Sequence, residues 1–351
     1  MILRDPVLGE RSIGPGHPVF VIAELSGNHL GDIDRALALV HAAKEAGADA
    51  VKLQTYTADT ITIDADGPWY RITGGPWDGR RLYELYQEAS TPWEWHERLF
   101  AEARACGLVP FSTPFDPTAV SFLEDLGCPL HKVASFEVVD HPLLAAVGAT
   151  RKPVVMSTGM ASLAEIAAAR DVLMAAGCPE LALLTCVSAY PARAEDMRLA
   201  NIAAITAAFG TIAGLSDHTL TDTAAIAATA LGARLIEKHL CLRRGDGGPD
   251  AGFSLEPAEF KRMVTAVREA EVATGRPAAF GPGEADAGNV VFRKSLIAVR
   301  DIAAGAVVSA ADVRSLRPGH GLPPRFLPQV IGRTARRAIV RGEPLSWDQL
   351  L

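Results

Sequence analysis

The chain has 351 residues, of which 49% are hydrophobic and 21% are charged. This composition excludes disorder for most of the chain and allows one large globular domain together with a small one. A formal net charge of -7 and a pI near 5.7 argue against a nucleic acid as the main partner, and leave room for a small anionic ligand held by a few local cations.

The N-terminus and the cysteines both bear on the cellular compartment. The first twelve residues are charged and contain no apolar segment, and no apolar run in the chain approaches the ~20 residues of a membrane span. Five scattered cysteines, with no C-x-x-C pair, indicate neither a disulfide framework nor a thiolate zinc site. We therefore expect a cytoplasmic protein that binds neither membrane nor nucleic acid.

Between Pro18 and Gly275, short apolar or β-branched runs alternate with Ala-rich stretches of helical period, eight times in all. The predicted strands are Val19 to Glu24, Ala50 to Gln54, Val109 to Thr113, His131 to Ala134, Val154 to Ser157, Leu181 to Cys186, Ala213 to Ser216 and Leu235 to His239. The predicted helices include Ile33–Ala46, Pro92–Cys106, Pro117–Leu126, Ser162–Ala176, Met197–Phe209, Asp222–Leu231 and Pro257–Thr274. This order predicts an α/β fold, a (β/α)8 TIM barrel, over residues 1–275.

One connection is much longer than the others. After the second predicted strand, residues 56–90 contain the aromatic side chains Trp69, Tyr70, Trp77, Tyr83 and Tyr86. A long loop at the carboxyl ends of barrel strands is typically a lid or a binding loop, because that face carries the active site. The alternative is a satellite hydrophobic cluster that packs on the barrel.

A second, smaller domain follows the barrel. Residues 276–291 are rich in Gly, Pro and Ala and are predicted to form a linker. The domain at 292–351 contains a near-repeat, since the spacing of Ala298, Ile302, Gly305 and Ser309 recurs at Ala335, Ile339, Gly342 and Ser346. With about 60 residues it has little core, so we expect it to dock on a partner surface.

Polar side chains lie at or just beyond the ends of all eight predicted strands, which converge on one face of a barrel. They are Glu24, Lys52, Gln54, Thr113, Lys132, Ser135, Ser157, Ser188, Tyr190, Ser216, His218, His239 and Asp250. The two lysines with the surrounding hydroxyls favour a site for a phosphate and a carboxylate. The alternative is that each lysine extends to solvent.

Two histidines end adjacent predicted strands. His218 follows the seventh strand and His239 ends the eighth, so both imidazoles could reach one cation. Imidazole with water and carboxylate suits Mn²⁺ or a similar transition ion better than Mg²⁺, although Mg²⁺ or Co²⁺ remains an alternative. The competing interpretation is a pair of hydrogen-bonded core histidines.

Nine ordered motifs resemble the sialic acid synthase family of phosphoenolpyruvate-dependent nonulosonic acid synthases. They are AELSGNH (23–29), VKLQTYTADTIT (51–62), STPFD (112–116), HKVASFE (131–137), STGM (157–160), CVSAYP (186–191), GLSDHT (214–219), IEKH (236–239) and GGPD (247–250). The C-terminal part resembles the antifreeze-like, or SAF, domain. The resemblance thus covers nearly the whole chain and implies a barrel followed by a SAF domain.

Within that family the sequence is most similar to the pseudaminic acid synthases. The stretches that carry this similarity are AELSGNH, QTYTADTIT (54–62), WDGRRLYELYQEASTPWEWH (77–96), ASFE (134–137) and RPGHGLPP (317–324). The implied enzyme is a transferase that condenses phosphoenolpyruvate with 2,4-diacetamido-2,4,6-trideoxy-altrose. The alternative is an N-acetylneuraminate or legionaminic acid synthase that acts on a mannosamine-type sugar.

The resemblance also assigns roles to residues. It implies that phosphoenolpyruvate is bound by Lys52, Gln54, Thr113, Lys132, Ser135, Ser157 and Ser216. It implies that His218 and His239 hold the metal, that Glu24, Tyr190 and Asp250 contact the sugar or metal-bound water, and that Arg317 binds the sugar. Those five barrel residues would be catalytic. Ser188 stands where bacterial neuraminate synthases have asparagine, so that residue's role does not transfer.

Three further expectations concern the mechanism and the assembly. The resemblance implies metal polarisation of the aldehyde, attack by C3 of phosphoenolpyruvate, capture of the C2 cation by water, and loss of phosphate with C–O cleavage. Lys52, Lys132 or Lys238 could instead form a Schiff base, and a carbohydrate-binding or ice-binding protein is the rival outside the enzymes. The linker and small domain predict a domain-swapped homodimer in which Arg317 completes the partner's site.

Overall fold

Eight parallel strands close into a barrel in the first of the chain's two units. The computed structural model describes residues 1–275 and 280–351. The units are Met1–Gly275 and Arg276–Leu351. In the described residues, no helix is both long and apolar enough to cross a membrane.

The barrel strands are short runs that are buried on both faces, which is why apolar residues predominate in most of them. They are β3 (Phe20–Glu24), β4 (Ala50–Thr55), β5 (Val109–Pro114), β6 (His131–Val133), β7 (Val154–Ser157), β8 (Leu181–Cys186), β9 (Ile212–Asp217) and β10 (Leu235–His239), after an N-terminal hairpin of β1 (Ile2–Asp5) and β2 (Gly9–Ser12). Neighbours in sequence are neighbours in space, and β10 closes the barrel against β3. The predicted barrel is confirmed.

Helices connect the strands and cover the barrel. They are α1 (Ile33–Glu45), α2 (Ala58–Ile61), α3 (Leu82–Ala89), α4 (His96–Ala105), α5 (Pro117–Asp125), α6 (His141–Ala149), α7 (Leu163–Ala176), α8 (Asn201–Phe209), α9 (Thr223–Ala230) and α10 (Pro257–Thr274). Three starts follow the sequence closely because Asp32, Asp116 and Ser162 accept backbone N–H bonds from the first turn that follows. By contrast, α4 begins at His96 and not at the predicted Pro92, and α8 begins at Asn201 and not at the predicted Met197. Buried residues on one face, such as Leu39 and Val40 of α1, pack on the strands.

The N-terminal hairpin lies at the end of the barrel opposite the predicted site. Arg11 of β2 pairs with Asp49, which immediately precedes β4, and Gly14 lies against the side chain of Ile212 at the start of β9. Asp5 is buried and pairs with Arg104 of α4 at 3.0 Å. The hairpin therefore covers the amino ends of the strands, while the carboxyl ends stay open for chemistry.

The second unit explains the near-repeat in the sequence. It contains the antiparallel strands β11 (Ser295–Ala298) and β12 (Val313–Leu316) and the short helices α11 (Glu284–Ala287) and α12 (Leu327–Val330). Gly305 N–H donates to Ala335 O at 2.8 Å, and Gly342 N–H donates to Ala298 O at 2.7 Å. Equivalent positions of the two repeats thus exchange equivalent bonds, as expected for a local two-fold arrangement.

Only part of the predicted linker, residues 276–291, can be compared with the structure. Residues 276–279 at its start lie outside the described residues. Within the rest of the predicted segment the structure places α11 and a single 3-10 turn at Val290–Phe292. The stretch is therefore not simply extended chain.

Candidate active site

The carboxyl ends of β3, β4 and β10 bring two carboxylates and one ammonium together. Lys52 Nζ lies 2.5 Å from Glu24 Oε2 and 3.6 Å from Glu237 Oε1, and it donates to Thr113 Oγ1 at 3.1 Å. All four side chains are buried. Burial lowers the pKa of Lys52, but the carboxylates of Glu237 and Glu24 outweigh it and raise that pKa, so the lysine is firmly cationic.

Glu24 is fixed from two sides. Its Oε1 accepts a hydrogen bond of 3.0 Å from Gln54 Nε2, while its Oε2 faces Lys52. Burial raises the pKa of Glu24, against the opposing effect of the lysine. The predicted residues Glu24, Lys52, Gln54 and Thr113 therefore form one contiguous cluster.

Lys132 is a buried ammonium without a carboxylate of its own. Its Nζ donates to Ser157 Oγ at 2.7 Å and to Val133 O at 2.9 Å, both neutral acceptors. Within residues 1–275 and 280–351 no carboxylate comes within 4.0 Å of it. Burial lowers its pKa, and the charge of Glu237 opposes this effect only in part. An anionic ligand at this point would supply the missing partner.

Two serine hydroxyls converge above Gly159, at the end of β7. Gly159 N–H donates to Ser135 Oγ at 3.0 Å. A Cβ at residue 159 would lie 2.5 Å from Ser188 Oγ and 2.8 Å from Ser135 Oγ, so any other residue there would displace these hydroxyls. Ser188 Oγ is buried and forms no hydrogen bond in the described part of the chain. Free hydroxyl donors near an unpaired ammonium suit a phosphate or carboxylate.

Glu237 is a site residue that the sequence reasoning missed. It accepts from Ser216 Oγ at 3.3 Å, and its Oε2 is buried without a hydrogen bond among the described residues. Burial raises its pKa, but Lys132 and Lys52 outweigh that effect and lower it. The alternation of side chains along a strand could have predicted Glu237, because a residue two positions before His239 points to the same face.

A second missed carboxylate follows β6. Burial raises the pKa of Glu137 to about 7, and its Oε2 is buried without a hydrogen bond among the described residues. The field of Lys132 acts on it in the opposite direction. The motif ASFE contains this residue, but nothing local distinguishes it from a surface glutamate.

The two histidines lie side by side, with ring centroids 5.4 Å apart. His218 Nδ1 lies 2.9 Å from the carbonyl of Val187, which can only accept, so Nδ1 carries the proton. His239 Nδ1 lies 3.2 Å from Ser26 Oγ. In the parts of the chain that the structure describes, neither Nε2 forms a hydrogen bond. Burial lowers the pKa of His239 well below its ordinary value, which favours a neutral imidazole.

This donor set fits a divalent transition ion with open coordination positions. Burial lowers the pKa of His218, but hydrogen bonds to Cys186 and Val187 outweigh it and raise that pKa, so the shift favours a neutral ring for His239 alone. An imidazole with an oriented Nδ1 and a free Nε2 is the common arrangement of a metal ligand. Over residues 1–275 and 280–351, the one group of three potential ligand side chains is His41, Glu102 and Cys106, on the outer surface of the barrel. The barrel mouth therefore offers two protein ligands and leaves further positions for oxygen atoms of substrate or water.

Aromatic rings cover the histidine pair. Tyr190 lies 4.5 Å from the ring of His218, Phe253 lies 5.0 Å from that of His239, and Trp77 lies 5.4 Å from Tyr190. Trp77 belongs to the long connection 56–90, so that segment does reach the site. Its other rings behave differently: Tyr56 packs on Tyr86 and Phe115 as a satellite cluster, and Trp69 is 84% exposed.

The last two predicted site residues are Asp250 and Arg317. Asp250 is half-buried, Gly27 N–H approaches its Oδ2 at 3.5 Å, and burial raises its pKa. Arg317 lies directly after β12, in the second unit, and its side chain is exposed. Of the predicted site residues, the structure thus gathers those of the barrel at one end, and Arg317 belongs to the other unit.

Known proteins resemble the chain over nearly its full length. It is 42% identical over 333 residues to the pseudaminic acid synthase of Campylobacter jejuni subsp. jejuni serotype O:23/36, covering 93% of this chain and 95% of that one. Identity to the pseudaminic acid synthase of Helicobacter pylori is 40% over 333 residues, covering 95% and 98%.

A solved structure gives the same fold. The N-acetylneuraminic acid synthetase of Leptospira borgpetersenii superposes with a TM-score of 0.72 at 28% identity, covering 82% of this chain and 96% of that one. The SAF domain matches residues 293–351, and the NeuB family matches residues 39–279. The chain therefore belongs to the NeuB family and ends in a SAF domain.

Proposed function

We propose that this chain is a pseudaminic acid synthase, which condenses phosphoenolpyruvate with 2,4-diacetamido-2,4,6-trideoxy-altrose and water to give pseudaminic acid and phosphate. The single observation that carries the reaction class is Lys132, a buried ammonium that donates to Ser157 Oγ and Val133 O and has no carboxylate within 4.0 Å among the described residues. The likeness to named pseudaminic acid synthases supports the choice of sugar.

Phosphoenolpyruvate has two anionic groups, and the barrel mouth has two lysines. Lys132, Ser157 and the hydroxyls above Gly159 supply a cation and small donors, with no carboxylate within 4.0 Å of the ammonium in the described part of the chain. Lys52, held by Glu24 and Thr113, supplies a second fixed cation. Because these groups are buried and already ordered, they bind the anion with little reorganisation.

The histidine pair is proposed to hold a divalent metal, with Mn²⁺ expected. A Lewis acid bound there would withdraw electron density from an aldehyde oxygen and make the carbonyl carbon more electrophilic. His218 and His239 would bind it through Nε2, since Val187 and Ser26 hold the two Nδ1 atoms. The metal suits the donor chemistry of the site, as described above.

The remaining steps use the charged residues around phosphoenolpyruvate. Attack by its C3 on the aldehyde forms the carbon–carbon bond and leaves positive charge at C2, which the neighbouring carboxylates of Glu24 and Glu237 stabilise. Water adds at C2, and one of its protons passes to the alkoxide left on the former aldehyde carbon. The C2–O bond to phosphate then breaks as the new C2 hydroxyl becomes the carbonyl and gives its proton to the departing phosphate. Lys52 and Lys132 stabilise the phosphate dianion that departs.

The rival mechanisms fit the geometry less well. Lys238 cannot serve as a Schiff-base nucleophile at the site because it pairs with Asp217 and points away from Glu237 and His239. Lys52 is tied to two carboxylates, so Lys132 is the lysine that the rival requires. Trapping with borohydride in the presence of pyruvate tests it, and no adduct is expected. A binding protein without activity would leave the buried charges of the barrel mouth unused.

The assembly and the location are proposed on the same basis. We propose a homodimer in which the SAF domain of one chain places Arg317 over the barrel of the other. The support is that this unit has a small core and an exposed arginine, and that docking would exclude water from the site. A cytoplasmic location stays a prediction from the sequence.

The decisive experiment is direct turnover. Purified protein is incubated with Mn²⁺, phosphoenolpyruvate and a panel of acetamido sugars, and phosphate release and product mass are recorded. We expect the mass of the diacetamido nonulosonic acid, with His239→Ala as the inactive control. Preference for N-acetylmannosamine by kcat/KM would instead favour the neuraminate alternative, and release of no phosphate with any sugar would refute the proposal.

A further inference from the structure

A cavity of about 310 Å³ lies above the aromatic rings that cover the histidine pair. Its walls come from the long connection, from the segment after β8 and from the segment after β10. The lining residues are Pro76, Trp77, Arg80, Tyr190, Pro191, Gly248, Pro249, Gly252 and Phe253. This volume is at the lower end of small-molecule sites and suits part of a monosaccharide derivative.

The cavity and the histidine pair form consecutive layers. Tyr190 and Phe253 line the cavity from below, and the same two rings contact His218 at 4.5 Å and His239 at 5.0 Å. A sugar whose aldehyde reaches the histidines therefore extends past these two rings. Its atoms farthest from the aldehyde enter the cavity.

The lining is mostly apolar and Trp77 is held in place. Its Nε1–H donates to Pro249 O at 2.8 Å, and its ring packs on Tyr190 and, edge-on, on Phe253 at 6.1 Å. An ordered ring of this kind covers methyl groups at low entropic cost. Arg80 is the one cation of the lining, and its pairing with Glu88 at 2.5 Å leaves several N–H donors free.

We propose that this cavity is the subsite that determines sugar specificity, and that it takes the C6 methyl and the 4-acetamido group of the substrate. The inference rests on the proposed function and deepens it. Trp77 and the prolines cover the C6 methyl and the methyl of the acetamido group, and Arg80 donates a hydrogen bond to the carbonyl oxygen of the acetamido group. A C6 hydroxyl would lose its water on entering and find no matching acceptor on the indole face.

Two kinds of variant test the subsite. Trp77→Ala removes the indole ring that covers the cavity, whereas Gly252→Leu fills the cavity. Leucine can be accommodated at residue 252 because a Cβ there meets no atom within 4 Å and the residue has no positive φ. The measured quantity is the ratio of kcat/KM for the 2,4-diacetamido-trideoxy sugar to that for its 6-hydroxy analogue. Trp77→Ala should lower the ratio roughly tenfold, as expected for loss of one methyl-sized apolar contact.

The other variants separate specificity from general damage. Gly252→Leu should raise the KM for the diacetamido sugar and leave the KM for phosphoenolpyruvate unchanged. Arg80→Met should weaken binding of the diacetamido sugar and leave binding of a sugar without the 4-acetamido group unchanged. Trp69→Ala, in the same connection but with a side chain that is 84% exposed, is the matched control and should behave as wild type.

The outcomes distinguish the two proposals. If wild-type protein converts no diacetamido sugar, the proposed function fails. If it converts that sugar but Trp77→Ala and Gly252→Leu both retain the wild-type ratio and KM, the subsite assignment is overturned while the function stands. Should Trp77→Ala fail to fold, Gly252→Leu and Arg80→Met still decide the question.

Discussion

Lys238 and Asp217 form a fully buried ion pair, with Nζ 2.7 Å from Oδ2, on the outer side of two adjacent barrel strands. The same ammonium donates to Thr219 Oγ1 at 3.2 Å and to the carbonyl of Thr221 at 3.1 Å. Asp217 precedes His218 and Lys238 precedes His239 in sequence. The pair therefore joins the two strand ends that carry the imidazoles and fixes the spacing between them.

We predict that Lys238→Met weakens metal binding roughly 10- to 100-fold, a range typical for loss of a supporting contact behind a metal ligand. Loss of one partner of the buried pair should also lower the free energy of unfolding by about 3–5 kcal/mol. Titration of the purified chain with Mn²⁺, without substrates, measures the affinity.

The matched variant is Lys238→Met with Asp217→Asn. Removal of both charges should recover much of the stability, because no lone charge remains buried. The affinity for Mn²⁺ should stay weak, since the segment around Thr219 is still released from the strand. Recovery of both properties together would show that the pair has only a structural role.

The second prediction concerns Lys132. Lys132→Met should raise the KM for phosphoenolpyruvate roughly 10- to 100-fold, as expected for loss of a charge-assisted bond, and should change the KM for the sugar little. The same variant should be more stable than wild type, because burial disfavours this ammonium by more than the charge of Glu237 offsets, and an apolar side chain of similar length replaces it. Equal effects on the two KM values would contradict the assignment to the anion site.

The barrel and the predicted barrel site residues follow closely from the sequence, and the reasons are local. Strand ends could be read because each buried apolar run stops at a polar residue, as at Glu24 and His239. Glu237 was missed although strand alternation indicated it. Helix α6 and the N-terminal hairpin were missed because neither shows a distinctive period.

Other features depend on packing between distant segments. Three features each need atoms from separate segments. They are the surroundings of Lys132, the close approach of Ser135 and Ser188 above Gly159, and the position of Trp77. No pattern within one segment records such distances. The sequence could therefore name the polar residues of the site but not its cavity.

The third prediction is a pH dependence of stability that Glu137 causes. Its pKa is raised from 4.5 to about 7 by burial, so the folded chain holds a proton that the unfolded chain releases. Stability from this group is fully present below pH 4.5 and is lost as the pH rises to about 7. The loss amounts to at most about 3 kcal/mol.

Glu137→Gln, which stays neutral, should escape this loss. The melting temperature of the variant, relative to that of wild type, should therefore rise between pH 5 and pH 8. Glu269→Gln, at an exposed glutamate of α10, is the control for a general effect of charge removal. A constant difference across this pH range would mean that Glu137 is not protonated in the folded chain.

The fourth prediction is metal dependence. Chelation should abolish activity and Mn²⁺ should restore it, because the site supplies two imidazoles suited to such an ion. His239→Ala should lower the affinity for Mn²⁺ severely, whereas His41→Ala, in the surface cluster with Glu102 and Cys106, should leave activity unchanged. Full activity in exhaustively chelated protein would contradict the metal assignment.

The last prediction is that Arg317 acts in the barrel of a partner chain. Arg317→Ala and His239→Ala chains should each be nearly inactive alone. In a hybrid dimer, however, one site would carry both lesions and the other neither. Random reassortment of equal amounts makes half of the dimers hybrid, each with one intact site of two, so activity should recover to about a quarter of wild type.

The matched control pairs His218→Ala with His239→Ala, whose lesions both lie in the barrel. In that mixture every barrel carries one of the two histidine substitutions, so no activity should return however well the chains exchange. Hybrid formation is verified by affinity tags of different mass on the two chains. If hybrids of the Arg317→Ala and His239→Ala chains form and no activity returns, Arg317 acts within its own chain or outside the site, because only a residue contributed across the dimer can restore one undamaged site.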